Sequence, residues 1–177
     1  TVVDGIVAAC DEIARGRPTG DTLVFLPGER EIRDAHRALE ARKYRHTEVL
    51  PLYARLSARD QDRVFHPGTQ RRIVLATNVA ETSLTVPRIH HVVDPGVARV
   101  KRYSPRQKLD RLHIEPVSQA SADQRAGRAG RVDEGWAYRL WPESERLAPQ
   151  RRAEIAQVEL AGLALELAAW GSDALRF

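Results

Sequence analysis

The amino-acid sequence predicts an α/β protein: a mostly parallel sheet with helices on both faces, an inserted β-hairpin and a trailing C-terminal helix. Three observations carry the prediction. Short apolar runs bounded by Pro and Gly recur along the chain, as buried strands do. Between them lie segments whose apolar residues repeat at helical spacing. Strand and helix then alternate in order, the arrangement that places strands side by side in parallel.

Taken in order, Val3, Ile6, Val7, Cys10, Ile13 and Ala14 form the stripe of a first helix, Val2–Arg15, which Gly16 to Gly20 ends. Thr22–Leu26 is a short strand, Pro27-Gly28 turns the chain, and Glu29–Glu40 is a helix with Ile32, Ala35 and Leu39 inward. Glu48–Tyr53 is a second strand. Ser57 to Asp60 resembles a capping box opening a helix through Phe65, with Asp60 where Glu or Gln is usual. Arg72–Ala76 and His90–Asp94 are further strands, separated by the polar run Thr77–Thr85. Ala98–Tyr103 and Lys108–Glu115 flank Ser104-Pro105-Arg106-Gln107 as a hairpin. Ser121 is the expected cap of the next helix, Trp136–Leu140 is a fifth strand, and Glu154–Trp170 is a longer amphipathic helix. The expected division is 1–142 for the main domain and 143–177 for a linker and the start of an adjoining module.

Composition sets bounds on this reading. With 177 residues, 42% of them hydrophobic, the chain can bury one full core. It has no apolar run of about 18 residues, so no membrane span is expected. A single cysteine, Cys10, forms no internal disulfide and lies within a helical stripe, which suggests a cytoplasmic protein with a buried thiol. Methionine is absent, position 1 included, as expected of a piece of a longer protein. The net charge of +4 and pI near 9.6 suggest a polyanionic partner.

The densest chemistry lies in Gln124-Arg-Ala-Gly-Arg-Ala-Gly-Arg131. On a helix, Gln124, Arg128 and Arg131 fall at roughly 0°, 40° and 340°, one polar arc. The opposite side carries Ala126, Ala129 and Gly130. Each helical glycine costs about 1 kcal/mol relative to alanine, so Gly127 and Gly130 suggest close packing that fixes the guanidiniums. Two arginines and an amide on such an arc suit charge on a transferring phosphoryl group. The competing reading is a solvated basic face.

Ligands of parallel sheets bind at the carboxyl ends of the strands. Two more polar groups fall there: the backbone at Pro27-Gly28, and Thr77 to Ser83, whose hydroxyls and amide suit phosphate and sugar contacts. The hairpin region holds Arg99, Lys101, Arg102, Arg106, Lys108 and Arg111 around Tyr103, a pattern suited to single-stranded nucleic acid or simply to solvent. No zinc-binding spacing, nucleophile elbow or Gly-x-x-x-x-Gly-Lys-[Ser/Thr] loop occurs. Arginines aimed at a γ-phosphate therefore require the nucleotide to arrive on another domain.

These residues resemble a known family. Gln124–Arg131 is similar to motif VI of superfamily 2 helicases, Leu75–Thr85 to motif V of the DEAH-box branch, and Phe25–Ile32 to motif IV. Leu50–Leu56, with Gln61 and Phe65, is similar to the stretch between motifs IV and V. Arg45–Glu48 and Thr85-Val86-Pro87 resemble the bacterial HrpA-type RNA helicases. The resemblance covers roughly Gly20–Leu140 and implies a RecA-like three-layer sandwich, the second motor lobe of an ATP-dependent RNA helicase. It implies arginine fingers at Arg128 and Arg131, and in Gln124 an amide near the γ-phosphate. Phe65, Ser83 and Thr85 match nucleotide-side positions. Thr77 and Asn78 match RNA-backbone positions, and Gly28, Arg102, Tyr103 and Arg106 are the further candidates for RNA. Pro87 departs from the family's usual ribose-binding Asp. The implied ligands are ATP and Mg2+, held mainly by a first RecA-like domain absent from this chain, and single-stranded RNA, with DNA left open. The alternatives are a stand-alone single-stranded nucleic-acid binding module and, more remotely, a dimerising regulatory domain built on Glu154–Trp170.

Overall fold

The computed structural model describes residues 1–150 apart from 17, 132 and 133, together with Leu165. The expected helix Glu154–Trp170 otherwise lies outside the described residues. In order the elements are α1 (Val2–Arg15), β1 (Asp21–Phe25), α2 (Glu29–Glu40), β2 (Thr47–Leu52), α3 (Ala58–Phe65), β3 (Arg71–Ala76), a 3-10 turn (Asn78–Ala80), β4 (Ile89–Asp94), β5 (Val97–Ser104), β6 (Leu109–Pro116), α4 (Gln119–Ala126) and β7 (Trp136–Arg139).

Five strands form one sheet in the order β2-β3-β1-β4-β7, every pair parallel. Central β1 sits with Phe25 opposite Ala76 of β3 and Val24 opposite Val93 of β4. Successive strand residues face opposite sides, and here both sides are covered. Val24, Ile73, Leu75 and Val93 pack with Ile6, Cys10 and Ile13 of α1 and Ile32 and Leu39 of α2. Leu23, Phe25, Val74 and Val92 pack with Val64 of α3, Val86 and Ala129. That double burial explains why the strands read as unbroken apolar runs rather than alternating ones.

Local chemistry starts the helices. Thr1 Oγ1 accepts from the Asp4 N–H at 3.2 Å in a complete capping box, and Ser57 Oγ accepts from the Asp60 N–H at 3.2 Å. The chain divides into two compact units, Thr1–Arg99 with Ile114–Arg151 and a second that includes Val100–His113. Within the second, Lys101 pairs with Asp110 across the hairpin at 2.6 Å, and Leu109 and Leu112 are exposed.

At the amino end of the sheet, His91 stacks on Trp136 with centroids 5.4 Å apart, and its Nδ1 is buried without a partner. Burial, then the charge of Arg71, pushes His91 down to about 4. An unfolded histidine titrates near about 6.5. Between these values the unfolded chain binds a proton that the native chain does not, so stability falls as pH drops from about 6.5 towards 4. His91→Phe, which keeps the ring stack, is expected to flatten the dependence of the urea midpoint on pH across that window. An unchanged slope contradicts the assignment.

Candidate functional site

The segment Thr77–Thr85 leaves the carboxyl end of β3, and α4 packs on β4, so both meet where the strands finish. The cap of helix α4 is Ser118, three residues before the expected Ser121. Ser118 Oγ accepts from the Ser121 N–H at 3.1 Å, and the N–H groups of Gln119 and Ala120 donate to the carbonyls of Ala148 and Pro149 at 2.7 and 3.2 Å. These bonds satisfy the first-turn donors that a helix leaves open.

Near the other end of α4, Arg125 turns inward and is only 1% exposed. Its Nε donates to Glu81 Oε2 at 3.0 Å, and its Nη1 to Asp94 Oδ1 at 2.8 Å and the Val97 carbonyl at 3.3 Å. The guanidinium lies 4.7 Å from the Phe25 ring centroid, a cation–π contact. Glu81 also accepts from Ser121 Oγ at 2.7 Å. Phe25 ends β1 and Asp94 ends β4, so this one side chain spans the carboxyl ends of two neighbouring strands. A buried guanidinium cannot shed its proton, so it needs such a set of partners.

Arg128 follows three residues later. Its Nε donates to the Glu81 carbonyl at 2.8 Å, Nη2 donates to the same oxygen, and Nη1 is buried without a partner. Arg131, three residues further on, is exposed and donates from Nη1 to Thr85 Oγ1 at 3.0 Å. Burial, and then the charge of Arg131, holds the Arg128 pKa below the ordinary arginine value. Two neighbouring cations with one unfilled donor favour an arriving anion.

The predicted geometry needs correction here. Gln124–Arg131 is not one helix: α4 stops at Ala126, and the N–H groups of Arg128 and Ala129 bond only three residues back, each at 3.1 Å. At about three residues per turn, positions three apart share a side. The group brought together is therefore Arg125, Arg128 and Arg131, while Gln124 is exposed and makes none of these contacts. Tight helix packing does not explain the glycines either. A Cβ at Gly130 meets nothing within 4 Å, and one at Gly127 meets its neighbours at an ordinary 3.4 Å. The close approach is at Gly135, where a Cβ would strike the backbone of Ala129.

Of the other candidates, Phe65 is half-buried against the Val64 and Val86 cluster, and Ser83 and Thr85 are exposed. Thr77 precedes the 3-10 turn without capping it by its side chain, and Asn78 is exposed. Gly28 starts α2 under the chain's own Arg99–Glu31 ion pair. A Cβ there would lie 3.0 Å from Arg99 Cζ and 3.1 Å from Glu31 Oε2. In the hairpin, Arg102 and Tyr103 are half-buried and Arg106 is exposed.

Sequence reasoning passed over Arg125, Glu81 and Asp94. The signal was present in the Arg-Ala-Gly triplet, repeated with a period of three rather than 3.6, and in two acids that each close or follow an apolar strand.

A parallel sheet clad by helices, with a chain of arginines at its carboxyl edge, is the RecA-like α/β class that the motifs implied. The model of the helicase conserved C-terminal domain family matches residues 5–133, and the chain belongs to that family. It is 55% identical over 174 residues to the ATP-dependent RNA helicase HrpA homolog of Haemophilus influenzae, covering 97% of this chain and 13% of that protein. It is 54% identical over 171 residues to ATP-dependent RNA helicase HrpA of Escherichia coli, covering 96% of this chain and again 13% of that protein. The crystal structure of the E. coli DExH-box NTPase HrpB superposes with a TM-score of 0.87 at 43% identity, over 96% of this chain and 21% of that one. The chain thus spans a small part of these relatives.

The network makes a stability prediction. Arg125→Met leaves Glu81 and Asp94 without their shared cation and is expected to cost about 3–5 kcal/mol in urea unfolding. Arg131→Met, at an exposed pair, is expected to cost less than about 1 kcal/mol. Equal losses in the two variants contradict the assignment.

Proposed function

We propose that this chain is the second motor lobe of an ATP-dependent RNA helicase, and that Arg128 and Arg131 act on ATP bound by a first lobe outside it. The observation that carries the reading is the Arg128–Arg131 pair: two guanidiniums set by the backbone of Glu81 and the hydroxyl of Thr85, with Nη1 of Arg128 unfilled. Such preset donors suit the charge that develops on a transferring phosphoryl group, and an arginine supplied in this way is worth orders of magnitude in rate. ATP, when bound, supplies that phosphoryl group. Gln124 would reach the same region from α4. Phe65, Ser83 and Thr85 would face the nucleotide. Mg2+ would accompany the nucleotide's phosphates on the first lobe.

On the RNA side, Thr77 and Asn78 would contact the backbone, with Gly28 beside them, and Arg102, Tyr103 and Arg106 would carry the hairpin's contribution. Thr77, Asn78, Glu81 and Thr85 lie on one short segment. A change at the arginines is therefore a change in the anchors of the RNA-facing loop. When the lobes close, Arg128 and Arg131 grip the anion; when its charge is lost they release it, and the Thr77–Asn78 loop moves along the strand.

In the full-length protein, Arg128→Ala is expected to lower RNA-stimulated ATP hydrolysis by a factor of about 10³ or more while leaving RNA affinity within a few-fold. Near-normal hydrolysis in that variant refutes the arginine-finger role. Lost RNA binding with the hydrolysis chemistry intact instead favours a nucleic-acid binding module, whose arginines contact phosphates and whose affinity falls steeply with salt.

A further inference from the structure

At the amino end of the sheet, opposite the Arg125 network, Pro18, Gly20, Asp21, Thr69, Arg71 and Arg88 line a cleft of about 260 Å³. Two guanidiniums, Arg71 and Arg88, line it with one carboxylate, and the fully buried Arg72 lies behind that carboxylate. Asp21 is fully buried and already saturated: the backbone N–H and Nε of Arg72, and Nε and Nη2 of Arg88, donate to its two oxygens at 2.8–3.2 Å. Nothing of Asp21 is left for Arg71. Arg71 Nη2 donates only to the neutral Thr22 hydroxyl at 2.8 Å, and its Nε is buried without a partner.

The other groups near Arg71 that could carry negative charge do not do so at neutral pH. Burial pushes the Cys10 thiol up to about 12, and burial, then its hydrogen bond with Asp11, holds the Tyr44 phenol above its ordinary value. His91 is neutral there as well, as derived above. Arg63, beside Arg72, is already paired with Glu48 at 2.9 Å. Arg71, Arg72 and Arg88 against Asp21 alone leave an excess of two positive charges. Desolvation of Arg71 lowers its pKa, as expected of a cation short of a counter-ion.

We propose that this cleft binds a phosphate dianion, with Arg71 as its main ligand and Thr69 and Arg88 at its rim. A doubly charged tetrahedral ion matches both the excess charge and the planar fork of arginine, which engages phosphate oxygens in pairs. The site differs from the Arg128–Arg131 pair in place and in purpose. Asp21 begins β1 and Phe25, under Arg125, ends it, so the ion cannot be the one acted on at the carboxyl edge.

Inorganic phosphate titrated into the chain at constant ionic strength is expected to shift the backbone amide resonances of Gly20, Thr69 and Arg71 saturably. Sulfate should compete, and sodium chloride should not reproduce the shifts. Arg71→Gln is expected to weaken phosphate binding at least tenfold, and Arg71→Lys to retain part of it. Shifts with inorganic phosphate but not with a 5′-phosphorylated RNA oligonucleotide assign a free ion. Shifts at the same three residues with that oligonucleotide, but not with its 5′-hydroxyl form, assign a terminal phosphate. Shifts spread over the basic surface, equal shifts with chloride, or undiminished binding by Arg71→Gln overturn the site. The wild-type resonance map gives its answer even if the substitutions fail to fold.

Discussion

A guanidinium with 1% of its surface exposed has to be compensated on every side, and Arg125 is. Glu81 comes from the loop after β3, Asp94 from the last position of β4, Phe25 from the last position of β1, and a carbonyl from Val97. None of these groups is a sequence neighbour of Arg125, yet each lies at the carboxyl edge of the sheet. Truncating one partner of such a buried pair strands the other's charge, which is why the node holds its neighbours in place. Because Glu81 accepts Arg125 with its carboxylate and Arg128 with its carbonyl, the position of Arg128 is inherited from the buried pair. The exposed Arg131 then reaches Thr85 four residues beyond Glu81.

Both ends of the sheet use buried ion pairs, to different effect. At the carboxyl end one arginine meets two carboxylates, and the surplus cations, Arg128 and Arg131, project beyond the pair. At the amino end one carboxylate meets two arginines, with a third beside it. The apolar body of β1 separates the two arrangements, every residue of it buried. A parallel sheet clothed on both faces leaves only its two ends for polar chemistry, and here both ends present arginine.

The layered architecture was legible because it rests on local rules. Apolar runs between Pro and Gly become strands, and stripes at helical spacing become helices, with boundaries falling within a few residues of those expected. The path of Gln124–Arg131 was not legible by the same rules. Ala and Arg favour helix, so a continuous period of 3.6 was read through the two glycines despite their cost. Gly127 caps α4, and the partners that hold Arg125, Glu81 and Asp94, lie 44 and 31 residues earlier in the chain, where no local pattern encodes them. The same non-local cause hid the saturation of Asp21, which from sequence is one acid at the start of a strand.

The central claim is that the Arg125–Asp94 pair is a strongly coupled, buried node rather than one more ionic contact. A double-mutant cycle on urea unfolding, using Arg125→Met, Asp94→Asn and the double variant, measures that coupling directly. The account predicts a coupling energy of about 1–3 kcal/mol, beyond the few tenths typical of exposed pairs. A coupling energy indistinguishable from zero, with the two single losses simply adding, would contradict it.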